Sequence, residues 1–380
     1  MSSPIRDRTA IVGVGTTAFG ALYRDVNPER TPYELAVEAF GAALEDSGLL
    51  KSDVDGLICA RLPSYARMAD LLGLRHPCIV NAYEGTGRMS AVALQTAVMA
   101  IVTGMAEVVA CVYGNAGRSA GARYGGESAA ESTVAYDTMY GMTSPGAYVA
   151  MMYRRYQHDY GVPDGALAPL AINNRKNGAL NPNAVMQTPI TEEDYLNARF
   201  IAEPLRLFDY CLINDGGVAF IVTSAERARD LKKPPVYVTA TAAAGDLTNS
   251  YTSTDCFYAA CTDVAARLYR DAELGPQDVD CAQVYDNFTP TILFSLEGFG
   301  HCPRGEAWQW VRDGRIELGG ELPINTSGGH TAESYMQGWA LHVEAVRQLR
   351  GEAGQRQVPN CRVAQYICAS PIVSAHILRR

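Results

Sequence analysis

The run Asn325-Thr326-Ser327-Gly328-Gly329-His330-Thr331-Ala332-Glu333-Ser334-Tyr335 decides how the chain is read. It follows an apolar Leu322-Pro323-Ile324 and precedes a helical pattern from Met336 to Leu349. Gly328 and Gly329 carry no Cβ, so backbone there can approach a ligand closely. Thr326, Ser327 and Thr331 offer hydroxyls where the first helical N–H groups need acceptors. Tyr335 then falls within the first helical turns. Alone, such a strand–Gly-Gly–helix junction is a turn and a cap. Its weight comes from the partners that the rest of the chain supplies in order.

Working outward, the second half reads as strand Val236–Ala242, helix Asp255–Leu274, strand Cys281–Asp286 and helix Pro290–Gly298. After the Asn325 junction come the long helix and the strands Arg362–Cys368 and Ile372–Leu378. The first half follows the same plan. Ala10–Val14 is a strand, and Tyr33–Leu44 has apolar residues at helical spacing before the stop at Gly48. Val54–Ala60 and Pro77–Ala82 are strands, Met89–Thr103 is an almost wholly apolar helix, and Ala106–Tyr113 is a central strand. Ala147–Tyr160, Ala166–Gly178 and Glu192–Ala202 read as helices, and Gly217–Val222 as a strand. Lys51-Ser52-Asp53-Val54-Asp55 and Pro276-Gln277-Asp278-Val279-Asp280 each lead from a helix into a strand, which points to an internal duplication. The halves divide at 1–234 and 235–380. The first contains a loop and lid region of about 114–204, centred on the Gly-, Ser- and Tyr-rich segment Gly114–Gly146.

With 380 residues, 48% hydrophobic and 19% charged, the chain can bury two cores. A net charge of −9 without a Lys/Arg-rich run gives no field for nucleic acid. No apolar stretch is long enough for a membrane span, and Met1–Gly20 lacks the apolar core of a signal peptide. The ten cysteines are scattered without a C-x-x-C pair, and the six histidines show no ligand spacing. No metal site or disulfide framework is expected, and the chain reads as cytoplasmic.

These elements resemble the thiolase superfamily, and within it the sterol-carrier and lipid-transfer branch. The likeness is carried by Ala91–Tyr113, by Pro204–Ser224 with Asn214-Asp215-Gly216-Gly217, by Val284–Gly298 (VYDNFTPTILFSLEG) and by Asn325–Gly329. It implies an α/β thiolase fold: duplicated βαβ halves in five layers, α-β-α-β-α, with a loop and helical lid insertion.

The catalytic positions depart from an ordinary thiolase. Gly87, in Tyr83-Glu84-Gly85-Thr86-Gly87-Arg88, falls where the resemblance puts the nucleophilic cysteine. Ten positions after Asn325, where the family carries a histidine, stands Tyr335. The family's third motif is here Tyr285-Asp286-Asn287-Phe288, and its C-x-G loop is Cys368-Ala369-Ser370. A covalent acyl-enzyme cannot form without the cysteine. The tyrosine pair instead resembles the steroid-degrading retro-aldolases of this branch. These split a β-hydroxyacyl-CoA with a tertiary D-ring hydroxyl into a 17-ketosteroid and propionyl-CoA. Such a step needs a base for the hydroxyl, donors for the thioester enolate and an acid for its carbon.

The resemblance therefore implies one phenol as base, with its pKa drawn down, and the other as donor; the sequence leaves open which is which, and the preferred assignment is Tyr335 as base with Tyr285 as the companion that orients substrate or protonates the enolate. It implies substrate contacts from Gly87, His330, Gly329, Ser370 and Asp286, and no cofactor beyond the CoA of the substrate. His330 could equally stabilise its turn, Asp286 could cap a helix, and Cys368 reads as core. The implied assembly is a homodimer joined to a small acyl-CoA-associated partner with an OB-fold and a zinc-ribbon-like element, often part of a hydratase. The alternatives are a noncatalytic acyl-CoA-binding subunit, or a thiolase completed by a partner subunit.

Overall fold

A computed structural model describes residues 3–84, 87–123, 139–142, 144–246 and 253–380. Its main sheet has nine strands. The first half contributes β1 (Thr9–Thr16), β2 (Gly56–Ala60), β3 (Ile79–Tyr83), β4 (Val108–Ala116) and β7 (Asp215–Ser224). The second contributes β8 (Val236–Gly245), β9 (Cys281–Val284), β10 (Val363–Cys368) and β11 (Ile372–Arg379), while β5 (Phe200–Ala202) and β6 (Leu205–Arg206) form a separate hairpin. The order is β3-β2-β4-β7-β1 followed by β8-β11-β10-β9. Reading outward from the central β1–β8 contact, the two halves repeat one pattern. Ile324 supplies the counterpart of β3, bridging in parallel to Ala282 of β9 as β3 pairs in parallel with β2. Within the sheet the halves join where β1 pairs with β8, Ala10 with Tyr237 and Ile11 with Val236.

The repeated Asp-Val-Asp has a physical cause. Asp53 and Asp278 each accept from a backbone N–H three residues back, at 2.7 Å, closing a short 3₁₀ turn. Two residues on, Asp55 accepts from Glu107 and Val108 at the start of β4, and Asp280 from Arg362 and Val363 at the start of β10. One acid ends the helix connection and the other sets the register of the next parallel strand.

Helix Pro32–Ser47 lies on the outer face of the first half-sheet. It opens with a capping box in which Thr31 and Glu34 satisfy each other's N–H groups. Helix Tyr258–Ala272 covers the outer face of the second. Between them, Met89–Val102 and Trp339–Arg350 each touch strands of both halves, giving the five layers; the second is buried nearly all round, while the first leaves Met99 exposed. No helix among the described residues is long and apolar enough to cross a membrane.

Three local expectations are corrected. The long helix begins at Trp339, not Met336, because Gln337 and Gly338 both adopt positive φ; only one helical turn, Gly329–Ala332, precedes it. Tyr335 therefore sits in extended chain between the two, not inside a helix. Helix Glu192–Asn197 stops before the hairpin that uses Phe200–Ala202. Of the expected loop Gly114–Gly146, residues 114–116 belong to β4 and 145–146 to the helix Pro145–Tyr160, while 124–138 and 143 lie outside the described residues.

Candidate active site

The first catalytic loop, the end of β9 and the Asn325–Tyr335 run meet at one point. Tyr285, just past β9, and Tyr335 bring their phenol oxygens to 3.1 Å. An alanine Cβ placed at Gly87 would lie 1.6 Å from the Tyr285 oxygen. The phenol thus fills the space that any side chain at position 87 would need, and glycine there is what admits it. Behind Gly87, its carbonyl accepts from Ser90 Oγ at 3.2 Å, and Ser90 pairs at 3.0 Å with the buried Tyr366 hydroxyl.

His330 packs edge-on to both phenol rings, at 4.7 Å from Tyr285 and 5.3 Å from Tyr335. Its Nε2 accepts from the Gly338 N–H at 2.9 Å. Its Nδ1 accepts from the Asp286 N–H at 3.3 Å and lies 3.0 Å from Asp286 Oδ1. Asp286 also accepts from the His330 N–H at 2.9 Å and from Asn174 Nδ2 at 2.7 Å. Gly329 is required beside it: φ is +60°, and a Cβ would meet Asp286 Oδ2 at 2.4 Å. Asp286 and His330, expected at the substrate, are both fully buried with their polar atoms engaged in the protein, beside the phenol rings. Ser370 is likewise used locally, its hydroxyl donating to the Ile372 carbonyl at 2.8 Å. Cys368 belongs to the apolar cluster around Tyr285, and burial pushes its thiol up to about 12, so it stays protonated.

Burial also pushes both phenols up, Tyr285 more strongly. The hydrogen bond acts in opposite directions on the pair, easing ionisation of Tyr335 and hindering that of Tyr285. Either hydroxyl can donate across this contact. The drawn-down phenol expected from the sequence is absent, because desolvation outweighs one donor.

The sequence reading missed an asparagine stripe. From helix Ala168–Ala179 and just beyond it, Asn173, Asn177 and Asn181 donate to the carbonyls of Ile324, Asn325 and Ser327, while Asn174 binds Asp286 and Thr331. Their spacing in Asn173-Asn174-Arg175-Lys176-Asn177-Gly178-Ala179-Leu180-Asn181 puts amides on one helical face, a usable signal for a buried polar strut. Asn214, from Asn214-Asp215-Gly216-Gly217, accepts from the Tyr335 N–H at 2.8 Å. Beside these elements lies a cavity of about 740 Å³, lined among others by Arg118, Arg175, Arg199, Phe208, Cys211 and Thr331.

Comparison with known proteins agrees with this geometry. Residues 9–226 match the thiolase N-terminal domain and residues 242–377 the thiolase C-terminal domain-like family. The chain belongs to the thiolase superfamily. Within it, the chain is 39% identical over 359 residues to a steroid side-chain-cleaving aldolase of Thermomonospora curvata, covering 90% of each chain. It is 39% identical over 362 residues to the 17-hydroxy-3-oxo-4-pregnene-20-carboxyl-CoA lyase of Mycobacterium tuberculosis, covering 90% of this chain and 92% of the relative. A solved structure described as the Ltp2-ChsH2(DUF35) aldolase superposes with a TM-score of 0.90 at 36% identity, covering 99% of this chain and 98% of that one. Human mitochondrial 3-ketoacyl-CoA thiolase shares the fold, at a TM-score of 0.71 and 16% identity.

Proposed function

We propose that the protein is an acyl-CoA lyase that cleaves a 17-hydroxy steroid 20-carboxyl-CoA thioester by a retro-aldol step, giving a 17-ketosteroid and propionyl-CoA. One observation carries the reading: the Tyr285 phenol occupies the nucleophile's space and is hydrogen-bonded to Tyr335. Claisen chemistry is thereby blocked while proton transfer is provided for. The names and 39% identity of the two curated relatives support the same substrate class.

Because burial holds both phenols neutral, the pair works as a relay. The 17-hydroxyl proton passes to the Tyr335 oxygen, the O–H bond electrons form the C17 carbonyl, and the C17–C20 bond electrons form the thioester enolate. Tyr335 passes its own proton to Tyr285, whose proton goes to C20. One proton moves from oxygen to carbon, both phenols end as they began, and no phenolate persists. A relay of this kind avoids the roughly 4 kcal/mol that a three-unit fall in phenol pKa would require. Arg118, Arg123, Arg175 and Arg199 of the cavity fit the phosphates of CoA, with aromatic and aliphatic neighbours for its uncharged arm.

The assembly we infer is a homodimer that binds a DUF35-type partner. The solved aldolase matched over nearly the whole chain carries such a partner in its description. The edge strand β3 leaves Ile79, Val80 and Tyr83 only partly covered. The cytoplasm is the compartment we assign, and among the described residues the cysteines form no disulfide. The test is incubation of the purified protein, with and without the partner, with 17-hydroxy-3-oxo-4-pregnene-20-carboxyl-CoA. Chromatography should find 17-ketosteroid and propionyl-CoA in equal amounts. Failure of both preparations to form either product overturns the reading.

A further inference from the structure

The Asn325–Tyr335 run rests on two buried glutamates that proton transfer does not use. Thr326 Oγ1 donates to Glu344 at 2.8 Å, and Ser327 Oγ donates to Glu333 at 2.7 Å. The two acids differ in their other partners. Glu344 pairs with the Arg356 guanidinium at 3.0 Å and accepts from Gln348. Glu333 accepts only from neutral groups, Ser327 and the Asn181 amide at 3.0 Å, and is 2% exposed. The charged groups around it are Glu344, which opposes its ionisation, and Arg356 and Arg347, which favour it without contacting it. Arg356 is already engaged by Glu344, and Arg347 reaches Thr16.

Glu333 lies two residues before Tyr335, in the segment that carries its phenol to Tyr285. The Glu333 carbonyl accepts from Val185 N–H at 2.9 Å, so this backbone is braced on both sides. Each carboxyl oxygen receives one donor. The ionised carboxylate accepts at both oxygens, whereas a protonated one has to donate through one of them, turning the Ser327 hydroxyl from donor to acceptor.

Building on the lyase reading, we propose that Glu333 is a positioning residue: its ionised carboxylate braces Ser327 and Asn181, and taking up a proton releases this brace and displaces Tyr335 from its relay partner. A carboxylate without a cation, buried beside a second carboxylate, is expensive to keep ionised. Burial accordingly raises Glu333 to about 7. Its proton exchange therefore falls near neutral pH.

The sign differs between two assays. An ordinary glutamate titrates near 4.5, so between that pH and about 7 the folded chain holds a proton that the unfolded chain gives up. Glu333 therefore lowers stability as pH rises through this window, while the same ionisation raises turnover. The experiment compares wild type, Glu333→Gln and Ser327→Ala, each with the partner, from pH 5 to pH 9. For Glu333→Gln, kcat at pH 8 should fall about tenfold with KM nearly unchanged, the order expected for one charge-assisted hydrogen bond to a positioning loop. The wild-type decline in kcat on the acid side should flatten in this variant. In Ser327→Ala, which keeps the carboxyl but removes a donor, that decline should move to higher pH. Thermal unfolding gives a readout without turnover: the stability of Glu333→Gln relative to wild type should increase by a few degrees between pH 5 and pH 8. A stability difference that does not change with pH overturns the titration, and superimposable kcat profiles overturn the bracing role. If wild type itself turns nothing over, the lyase reading fails instead, and the unfolding series still tests Glu333.

Discussion

Replacing Gly87 with alanine perturbs the site at its tightest point. The new Cβ would stand 1.6 Å from the Tyr285 hydroxyl oxygen, 2.0 Å from Cζ and 2.3 Å from Cε2, where real Cβ contacts do not fall below 3.0 Å. The difference of 3.0 − 1.6 Å means that ring or loop must give by at least 1.4 Å. The ring has little freedom: Tyr285 is 3% exposed and its face is held by His330 at 4.7 Å. A shift of that size stretches the 3.1 Å phenol contact beyond hydrogen-bond reach. Misplacement by an ångström costs ~10²-fold in rate, so kcat should fall by about 10²–10³. Overpacking should cost about 1–3 kcal/mol of stability, read as a lower unfolding midpoint. The assays are steady-state cleavage of the steroid thioester and a thermal melt. In a Tyr285→Ala background, itself destabilised by its cavity, Gly87→Ala should cost no further stability, because the clash has gone, and activity should stay lost with the phenol. A Gly87→Ala enzyme with wild-type kcat and stability would refute the placement of Tyr285 in the nucleophile's space.

Tyr335→Phe removes the first relay oxygen and should lower kcat by at least ~10³ with acyl-CoA binding retained in calorimetry; near-normal turnover dismisses the relay. Tyr285→Phe should cost about 10²–10³, the scale for one donor at a developing charge, and an active variant would leave Tyr335 working alone. Asp286→Ala strands the His330 and Asn174 donors, each loss of a buried partner being worth about 1–3 kcal/mol, so both stability and kcat should drop. An unchanged melt would show that the Asp286–His330 contact does not hold the site. Iodoacetamide at pH 8 should leave activity intact, since burial pushes the Cys368 thiol beside the site up to about 12. Inactivation in step with one labelled cysteine contradicts that.

Where the sequence was legible, it was legible for physical reasons. The two Asp-Val-Asp runs repeat because each performs the same pair of backbone hydrogen bonds, so the duplication is written in residues that cannot vary freely. The tyrosine pair was legible through its positions in the motifs, since 21 tyrosines in the chain make a tyrosine alone uninformative. The helix start was misplaced because Met336-Gln337-Gly338 is acceptable to a helix locally. Tertiary contacts decide otherwise: at Gly338 a Cβ would strike Tyr366 and Ser90 at 2.4 and 2.5 Å. The direction of the phenol pKa was beyond reach for a similar reason. A hydrogen-bond partner can be inferred from a motif, but the dry packing of Ala91, Leu341, Tyr366 and Cys368 comes from segments far apart in sequence.

That dry packing explains why the two halves of the change in chemistry belong together. A cysteine at position 87 and the phenol of Tyr285 compete for the same space, so a nucleophile and this relay cannot coexist in one site. Loss of the cysteine alone would leave a hole beside the thioester; gain of the tyrosine alone would clash. Once both are in place, the apolar surroundings that would oppose a phenolate favour a neutral pair, whose net proton movement creates no lasting charge. Asp286, His330 and the asparagine stripe brace the segments that carry the two hydroxyls, which stand 3.1 Å apart. The thiolase scaffold supplies that rigidity at the junction of its halves, where β9, the Asn325–Tyr335 run and the loop of Gly87 converge. The chemistry changes by exchanging what stands at that junction, with the layers around it left as they were.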